Sequence, residues 1–375
     1  LCFVVITFRL ASLQLAQGND YRVQADGQRT SVRAIAPSRG EIKIADRFSG
    51  QPATVATSME KPLVYAIPAS MTDRENVAKI LAPILGMTEQ EILDKTADSS
   101  KKYVPLKRQL TDEDKKKIED LKLTGIAFDK EIIRFYPEGS FLSQVLGFVG
   151  YKEDVKTGLY GIEQAFNKYL SGTPGSLAQE GSASGAWIFG ARRDQVPAQD
   201  GDSVLLTIDK TIQFKAENVI KETVEKHSAD SGSIVIMDPK TGAIMAMATY
   251  PTFDPNEYAK ADDPSVYNNQ ATLGQYEPGS IFKPITLSAA LNEGKITPNT
   301  TYNDAGEINI DGYTIKNSDL KAHGTQTMTQ ALEESLNTGM IFAKETIGNK
   351  KFADYIERFG FGKKTGIEVP EAKGD

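Results

Sequence analysis

The sequence predicts an α+β fold built around an antiparallel sheet, with a separate helix-bearing domain upstream of it. Three observations carry this. The stretch "GSIVIMDPKTGAIMAMATYP" sets two apolar strand runs on either side of a Pro-Lys-Thr-Gly turn, a hairpin buried on at least one face. In the second half strands come first and helices follow, which is the order of an α+β arrangement rather than of repeated βαβ units. Between the halves, from Gly172 to Gln199, the chain turns rich in Gly, Ser, Ala and Pro, which reads as a connecting segment and places the domain boundary there. A chain of 375 residues is long enough for two or more domains with substantial cores.

Taken in order, "LCFVVITF" is apolar up to Arg9, well short of the ~20 residues of a membrane-spanning helix. It fits a buried strand or the last turns of a spanning helix whose start lies upstream. In "MTDRENVAKILAPILGMTEQEIL" two capping boxes, Thr72 with Glu75 and Thr88 with Glu91, each open an amphipathic helix, and Gly86 is the natural stop between them. "LTDEDKKKIEDL" repeats the device: Thr111 caps, acids fill the first turn, and Ile118 and Leu121 are expected to face inward. Its charge run reads as a solvated helix face. Trp187, inside the Gly/Ser-rich stretch, reads as a packing anchor. "SVLLTID" is a strand, and a helix is expected from about Lys210. The hairpin follows, then polar loops and a helix-rich tail.

Composition removes several function classes. The formal net charge is −7, with acids and bases interspersed, and nucleic-acid binding would need a basic face. One cysteine, Cys2, allows no intrachain disulfide, and two histidines cannot assemble a zinc cluster. Neither His227 nor His323 lies in a nucleophile-elbow context, so histidine catalysis is the weaker reading.

Ser-x-x-Lys occurs at Ser58–Lys61, Ser99–Lys102, Ser280–Lys283 and Ser318–Lys321. Ser58 leads into a strand-like run, Ser99 sits in a charge-rich loop and Ser318 in a short polar link. Ser280 alone stands at the mouth of an apolar helix, "IFKPITLSAALNEG", closing at Gly294. With a start at Ile281, Pro284 is the fourth helical residue, where no intrahelical amide is lost. Serine and lysine at i and i+3 share a helix face. Burial and the positive end of the helix dipole both favour a neutral, basic lysine, and the free amides there suit a developing oxyanion. The plain alternative is an N-cap serine with a snorkelling lysine. Ser-x-Asn occurs once, as Ser335-Leu336-Asn337, near the end of a helix capped by Thr327 and Gln330; its plain alternative is a helix-terminating polar turn.

Ser-x-x-Lys followed by Ser-x-Asn is the pattern of penicillin-binding proteins and serine β-lactamases. The chain resembles a class B penicillin-binding protein, a membrane-anchored peptidoglycan D,D-transpeptidase, along nearly its whole length. "YEPGSIFKPIT" resembles the active-site segment of that family, "SLNTG" its second motif and "DPKTGAIMAMATYPTFDPN" the hairpin that starts the transpeptidase sheet. "FGFGKKTGIEVPE" resembles a segment that follows the second motif. "APSRGEI" and "GLYGIEQAFNKYLSGTPG" resemble landmarks of the non-catalytic pedestal, or dimerisation domain, and "RLASLQLAQGNDY" the juxtamembrane stretch.

The resemblance implies an anchor remnant and juxtamembrane stretch over 1–15, a pedestal over 16–190 and a transpeptidase domain over 200–375, with an antiparallel sheet and a helical subdomain. It implies Ser280 as the acylated nucleophile, Lys283 as its base, Ser335 as a proton relay and Asn337 as a holder of the substrate amide. Implied partners are stem peptides ending in D-Ala-D-Ala, β-lactams as inhibitors, the membrane through a single-pass anchor, and a glycosyltransferase of the division or elongation machinery. The expected setting is cell-wall synthesis in cell division, outside the cell membrane; no metal or organic cofactor is implied. The family's third motif, Lys-Thr/Ser-Gly on a cleft strand, is expected beyond Asp375. Lys156-Thr157-Gly158 lies in the pedestal, Lys240-Thr241-Gly242 in the hairpin turn and Lys364-Thr365-Gly366 in the tail of "FGFG". The chain is therefore expected to be truncated at both ends and impaired as it stands. Two other classes stay open: a non-catalytic penicillin-binding scaffold or sensor, and a carboxypeptidase or β-lactamase-like hydrolase.

Overall fold

The computed structural model describes residues 30–153, 155–180 and 193–373, with Phe3, Ile6, Arg9 and Leu13 as isolated positions before them. Trp187 and most of "LCFVVITF" lie outside the described residues. Among the described residues no helix is long and apolar enough to cross a membrane. Strands and helices are both abundant, as an α+β fold requires, and the chain divides into two compact units, Leu1–Asn268 and Asn269–Asp375. The division falls past the Gly172–Gln199 stretch where composition places a boundary.

In the first unit the strands are β1 (Thr30–Ile35), β2 (Ile42–Ala45), β3 (Ala53–Ala66), β4 (Val104–Lys107), β5 (Ile126–Phe135), β6 (Phe148–Lys152), β7 (Val155–Leu159), β8 (Gly175–Glu180), β9 (Arg193–Val196), β10 (Val204–Asp209), β11 (Gly232–Met237) and β12 (Ile244–Tyr250). The long β3 is the spine. It pairs antiparallel with β2, β4 and β5, and β10 joins β2 in parallel. Against its far end pack α1 (Arg74–Leu85), α2 (Glu89–Lys95) and α3 (Asp112–Asp120), around Val64, Leu81, Leu85, Ile92 and Leu110.

The capping chemistry holds at Thr88, whose box with Glu91 is complete, and at Thr111, which accepts from Asp114 N–H. It shifts at α1. There Asp73, not Thr72, is the cap and accepts from Asn76 N–H; of two adjacent competent residues, the carboxylate takes the site. Leu121 does not face inward either. The helix ends at Asp120 and Leu121 is left 43% exposed, whereas Ile118 is buried. The Gly172–Gln199 stretch is also more than a connector: its described ends are β8 and β9, which pair with each other, and β8 pairs with β1. Small residues give no strand signal of their own, and the ladder is supplied by a distant partner.

The expected strand–helix and hairpin are both present. β10 runs into α4 (Lys210–His227), capped by Asp209, and β11 pairs antiparallel with β12. One face of the hairpin packs on α4 through Ala216, Ile220, Val224, Ala246 and Ala248.

In the second unit α5 (Lys283–Asn292) packs with α6 (Met328–Glu333) and α7 (Asn337–Arg358) around Leu287, Ala290, Met328, Leu336 and Met340. Its strands form two ladders: β13 (Thr301–Asp304) with β16 (Gly324–Thr327), and β14 (Glu307–Ile310) with β15 (Tyr313–Lys316).

Candidate active site

Ser280 is delivered by a tight backbone. Gly279 has φ +61°, a left-handed conformation open to glycine at no steric cost. A 3₁₀ turn, Gly279–Phe282, then runs directly into α5, with Lys283 N–H donating to Ser280 C=O. The expected start at Ile281 thus falls inside this turn, and the α-helix proper opens at Lys283. Pro284 is its second residue, where a missing N–H breaks no bond. Gly294, at φ +63°, closes the helix as expected.

The two motif residues have opposite environments. Ser280 is exposed, and its Oγ makes no hydrogen bond to the described residues. Lys283 is 9% exposed, and its Nζ donates to Ser335 C=O at 2.5 Å and to Ser335 Oγ at 3.0 Å. No carboxylate pairs with it among the described residues, and burial pushes its pKa below the usual lysine range.

Ser335 lies in the break between two helices rather than on one. The Thr327–Gln330 capping box opens α6 as expected, and α6 ends at Glu333. Ser335 then adopts φ +54°, and Asn337 is already the first residue of α7. A non-glycine residue in the left-handed region stores strain. Here that conformation accompanies a carbonyl and a hydroxyl that both meet Lys283. Asn337 Nδ2 donates to Lys316 C=O at 2.7 Å, an acceptor that no motif announces.

Lys283 and Ser335 are therefore in direct contact, and Ser280 lies in the 3₁₀ turn that leads into the helix of Lys283. Ser280 Oγ is not hydrogen-bonded to Lys283, and Asn337 is bonded to Lys316 rather than to the other three. The remaining Ser-x-x-Lys pairs lack such settings: Ser58 and Lys61 lie on β3, where residues three apart point to opposite faces, and Ser99 and Ser318 lie in turns.

Among the Lys-Thr-Gly triplets, Lys156–Gly158 lies on β7, and Thr241 Oγ1 donates to Asp238 within the hairpin turn. Lys364–Gly366 is not on a strand, and the amides of Thr365 and Gly366 both donate to the Glu371 carboxylate, at 3.0 and 2.9 Å.

Two family descriptions match this chain: "Penicillin-binding Protein dimerisation domain" over residues 34–206 and "Penicillin binding protein transpeptidase domain" over residues 232–375. The chain is 34% identical to stage V sporulation protein D of Bacillus subtilis, over 98% of this chain and 56% of that protein. It is 32% identical to the probable peptidoglycan D,D-transpeptidase PbpC of Pseudomonas aeruginosa, over 98% of this chain and 65% of that one. The solved structure of penicillin-binding protein 2X from Streptococcus thermophilus is similar with a TM-score of 0.68 at 25% identity, covering 92% of this chain and 54% of that one. The chain thus spans between 56% and 65% of the length of these curated relatives. Both halves of the sequence carry matches of one kind, and the chain belongs to the class B penicillin-binding proteins.

Proposed function

We propose that the protein is a serine-type peptidoglycan D,D-transpeptidase that also binds penicillin. The carrying observation is Lys283: a buried lysine without an acidic partner among the described residues, at the start of the helix that the Ser280 turn runs into, and hydrogen-bonded to Ser335. Such a lysine reaches the neutral form more readily than an exposed one and can take the Ser280 hydroxyl proton.

Ser280 Oγ attacks the penultimate D-Ala carbonyl of a stem peptide while Lys283 Nζ accepts its proton. Collapse of the tetrahedral species breaks the terminal peptide bond, and the departing D-Ala nitrogen receives a proton by way of Ser335. Asn337 holds the substrate amide. An amine of a neighbouring stem peptide then attacks the Ser280 ester, forms the cross-link and returns the proton to Ser280. A β-lactam acylates Ser280 in the same way, but its leaving amine stays tethered and the second half stalls.

The same reading assigns residues 1–15 to the membrane-anchor and juxtamembrane stretch, 16–190 to the pedestal and 200–375 to the transpeptidase domain. It puts the protein on the outer side of the cell membrane, where stem peptides are. It also pairs the protein with a glycosyltransferase, in cell division. The test is exchange of a labelled D-amino acid into a peptide ending in D-Ala-D-Ala, with the full-length protein. Exchange exceeding hydrolysis, and lost in Ser280→Ala, is expected. Hydrolysis alone would make the protein a carboxypeptidase, and exchange that survives Ser280→Ala would remove the assignment.

A further inference from the structure

Behind the Ser335–Asn337 turn lies a buried polar network that the motifs do not reveal. Its centre is Asp304, the last residue of β13, only 1% exposed. Four groups donate to its carboxylate. Oδ1 accepts from Gly306 N–H at 2.9 Å, Asn317 Nδ2 at 3.0 Å and Thr338 Oγ1 at 2.7 Å. Oδ2 accepts from Asn317 Nδ2 at 2.9 Å and His323 N–H at 3.0 Å. Asn317 and Thr338 are themselves buried, at 1% and 6% exposure. Because the Thr338 hydroxyl donates to Asp304, Tyr302 OH, 3.2 Å away, donates to it in turn.

The network ends at the candidate active site. Leu336, the N-cap of α7, has no side chain able to cap, and Asn317 Oδ1 supplies the acceptor instead, taking Thr338 N–H at 3.3 Å. The adjoining Lys316 carbonyl takes Asn337 Nδ2. Residues 316 and 317 thus pin the first two residues of α7, and the strained Ser335 stands just upstream of them. Ionised carboxylates are costly to bury, and replacing such networks by apolar residues is often neutral or stabilising. Stability alone therefore gives little reason for a carboxylate here, whereas fixing one geometry does.

We propose that Asp304, acting through Asn317 and Thr338, is a positioning residue that holds the Ser335–Asn337 turn in the conformation from which Ser335 meets Lys283. This rests on the transpeptidase reading above. Burial works to raise the Asp304 pKa, but the donors, led by Thr338 Oγ1, outweigh it and hold the carboxyl below its usual range, so it stays an acceptor.

The test uses full-length protein and a fluorescent penicillin, measuring the second-order acylation rate constant and, separately, the fraction of molecules that label. Thr338→Val keeps the shape and removes the hydroxyl; Thr338→Ser keeps the hydroxyl. The expected result is a rate constant about tenfold lower or worse for Thr338→Val, with an unchanged labelled fraction, and a Thr338→Ser rate within about twofold of wild type, since small displacements at a reacting centre are amplified in rate. Asp304→Asn, which turns a donor toward the donors at Oδ2, is expected to lose at least as much. If Asp304→Asn does not fold, the threonine pair decides alone. A wild-type rate for Thr338→Val, equal losses in Thr338→Ser and Thr338→Val, or a loss confined to the labelled fraction would overturn the positioning role. Absence of label on Ser280 in wild type would instead remove the transpeptidase reading, and the positioning role with it.

Discussion

At the residue scale the proposed chemistry turns on one amine. Burial disfavours the Lys283 ammonium, so its folded pKa lies below that of a free lysine. Protonated lysine cannot accept the Ser280 proton, so with Lys283 as the base acylation is expected to rise with pH as Lys283 deprotonates. The rising limb of the acylation rate profile is expected below the ordinary lysine value of about 10.4. A limb at or above that value would contradict a buried base. Lys283→Arg keeps the charge but supplies no free base, so its acylation rate is expected to fall by well over tenfold. A loss smaller than that would point to a purely electrostatic lysine. In the sequence, Ser280 is singled out with Lys283 by its place at a helix mouth, since the spacing alone is shared by four serines. The sequence cannot show Asp304, whose partner Thr338 is 34 residues away and meets it only once β13 and α7 converge.

At the element scale, two backbone positions decide how the helices bear on the site. Gly339 lets α7 approach its neighbours closely: a Cβ there would meet Ala331 Cβ at 2.6 Å and Tyr302 OH at 2.9 Å. Neither atom can swing clear, so Gly339→Ala is expected to cost about 1–3 kcal/mol in denaturant unfolding. An unchanged midpoint would mean that this packing is looser than its distances say. Gly279→Ala meets no atom but keeps φ +61°, a strain of about 1–2 kcal/mol placed beside Ser280. Its measurable effect should be slower acylation, and an unaffected rate would separate that turn from the site. Caps, hairpin and helix stops were legible because each is written in a few contiguous residues. The exceptions are instructive. Thr72 and Asp73 are adjacent and both competent to cap, so pattern alone cannot choose between them. β8 is recognisable as a strand only with β1 beside it.

At the scale of the whole molecule, the two halves rest on different interiors. In the first unit, Glu163 is wholly buried and binds Arg39 Nε at 2.5 Å and Arg134 Nε at 2.6 Å, tying β5 and the segment before β2 to the helix Gly161–Ala165. Glu163→Gln leaves two largely buried guanidiniums undercompensated and is expected to cost about 3–5 kcal/mol, read as a drop in unfolding midpoint. A shift under about 1 kcal/mol would show those guanidiniums to be solvated. This clamp is invisible in the sequence for the same reason as Asp304, since opposite charges signal a pair only after the strands have brought them together. The proposed function depends on one serine out of four with the same spacing. The most direct measurement is peptide mapping of the full-length protein after fluorescent penicillin. A single adduct is expected, on the peptide carrying Ser280, that disappears in Ser280→Ala. An adduct on Ser58, Ser99 or Ser318, or undiminished labelling of Ser280→Ala, would contradict Ser280 as the nucleophile.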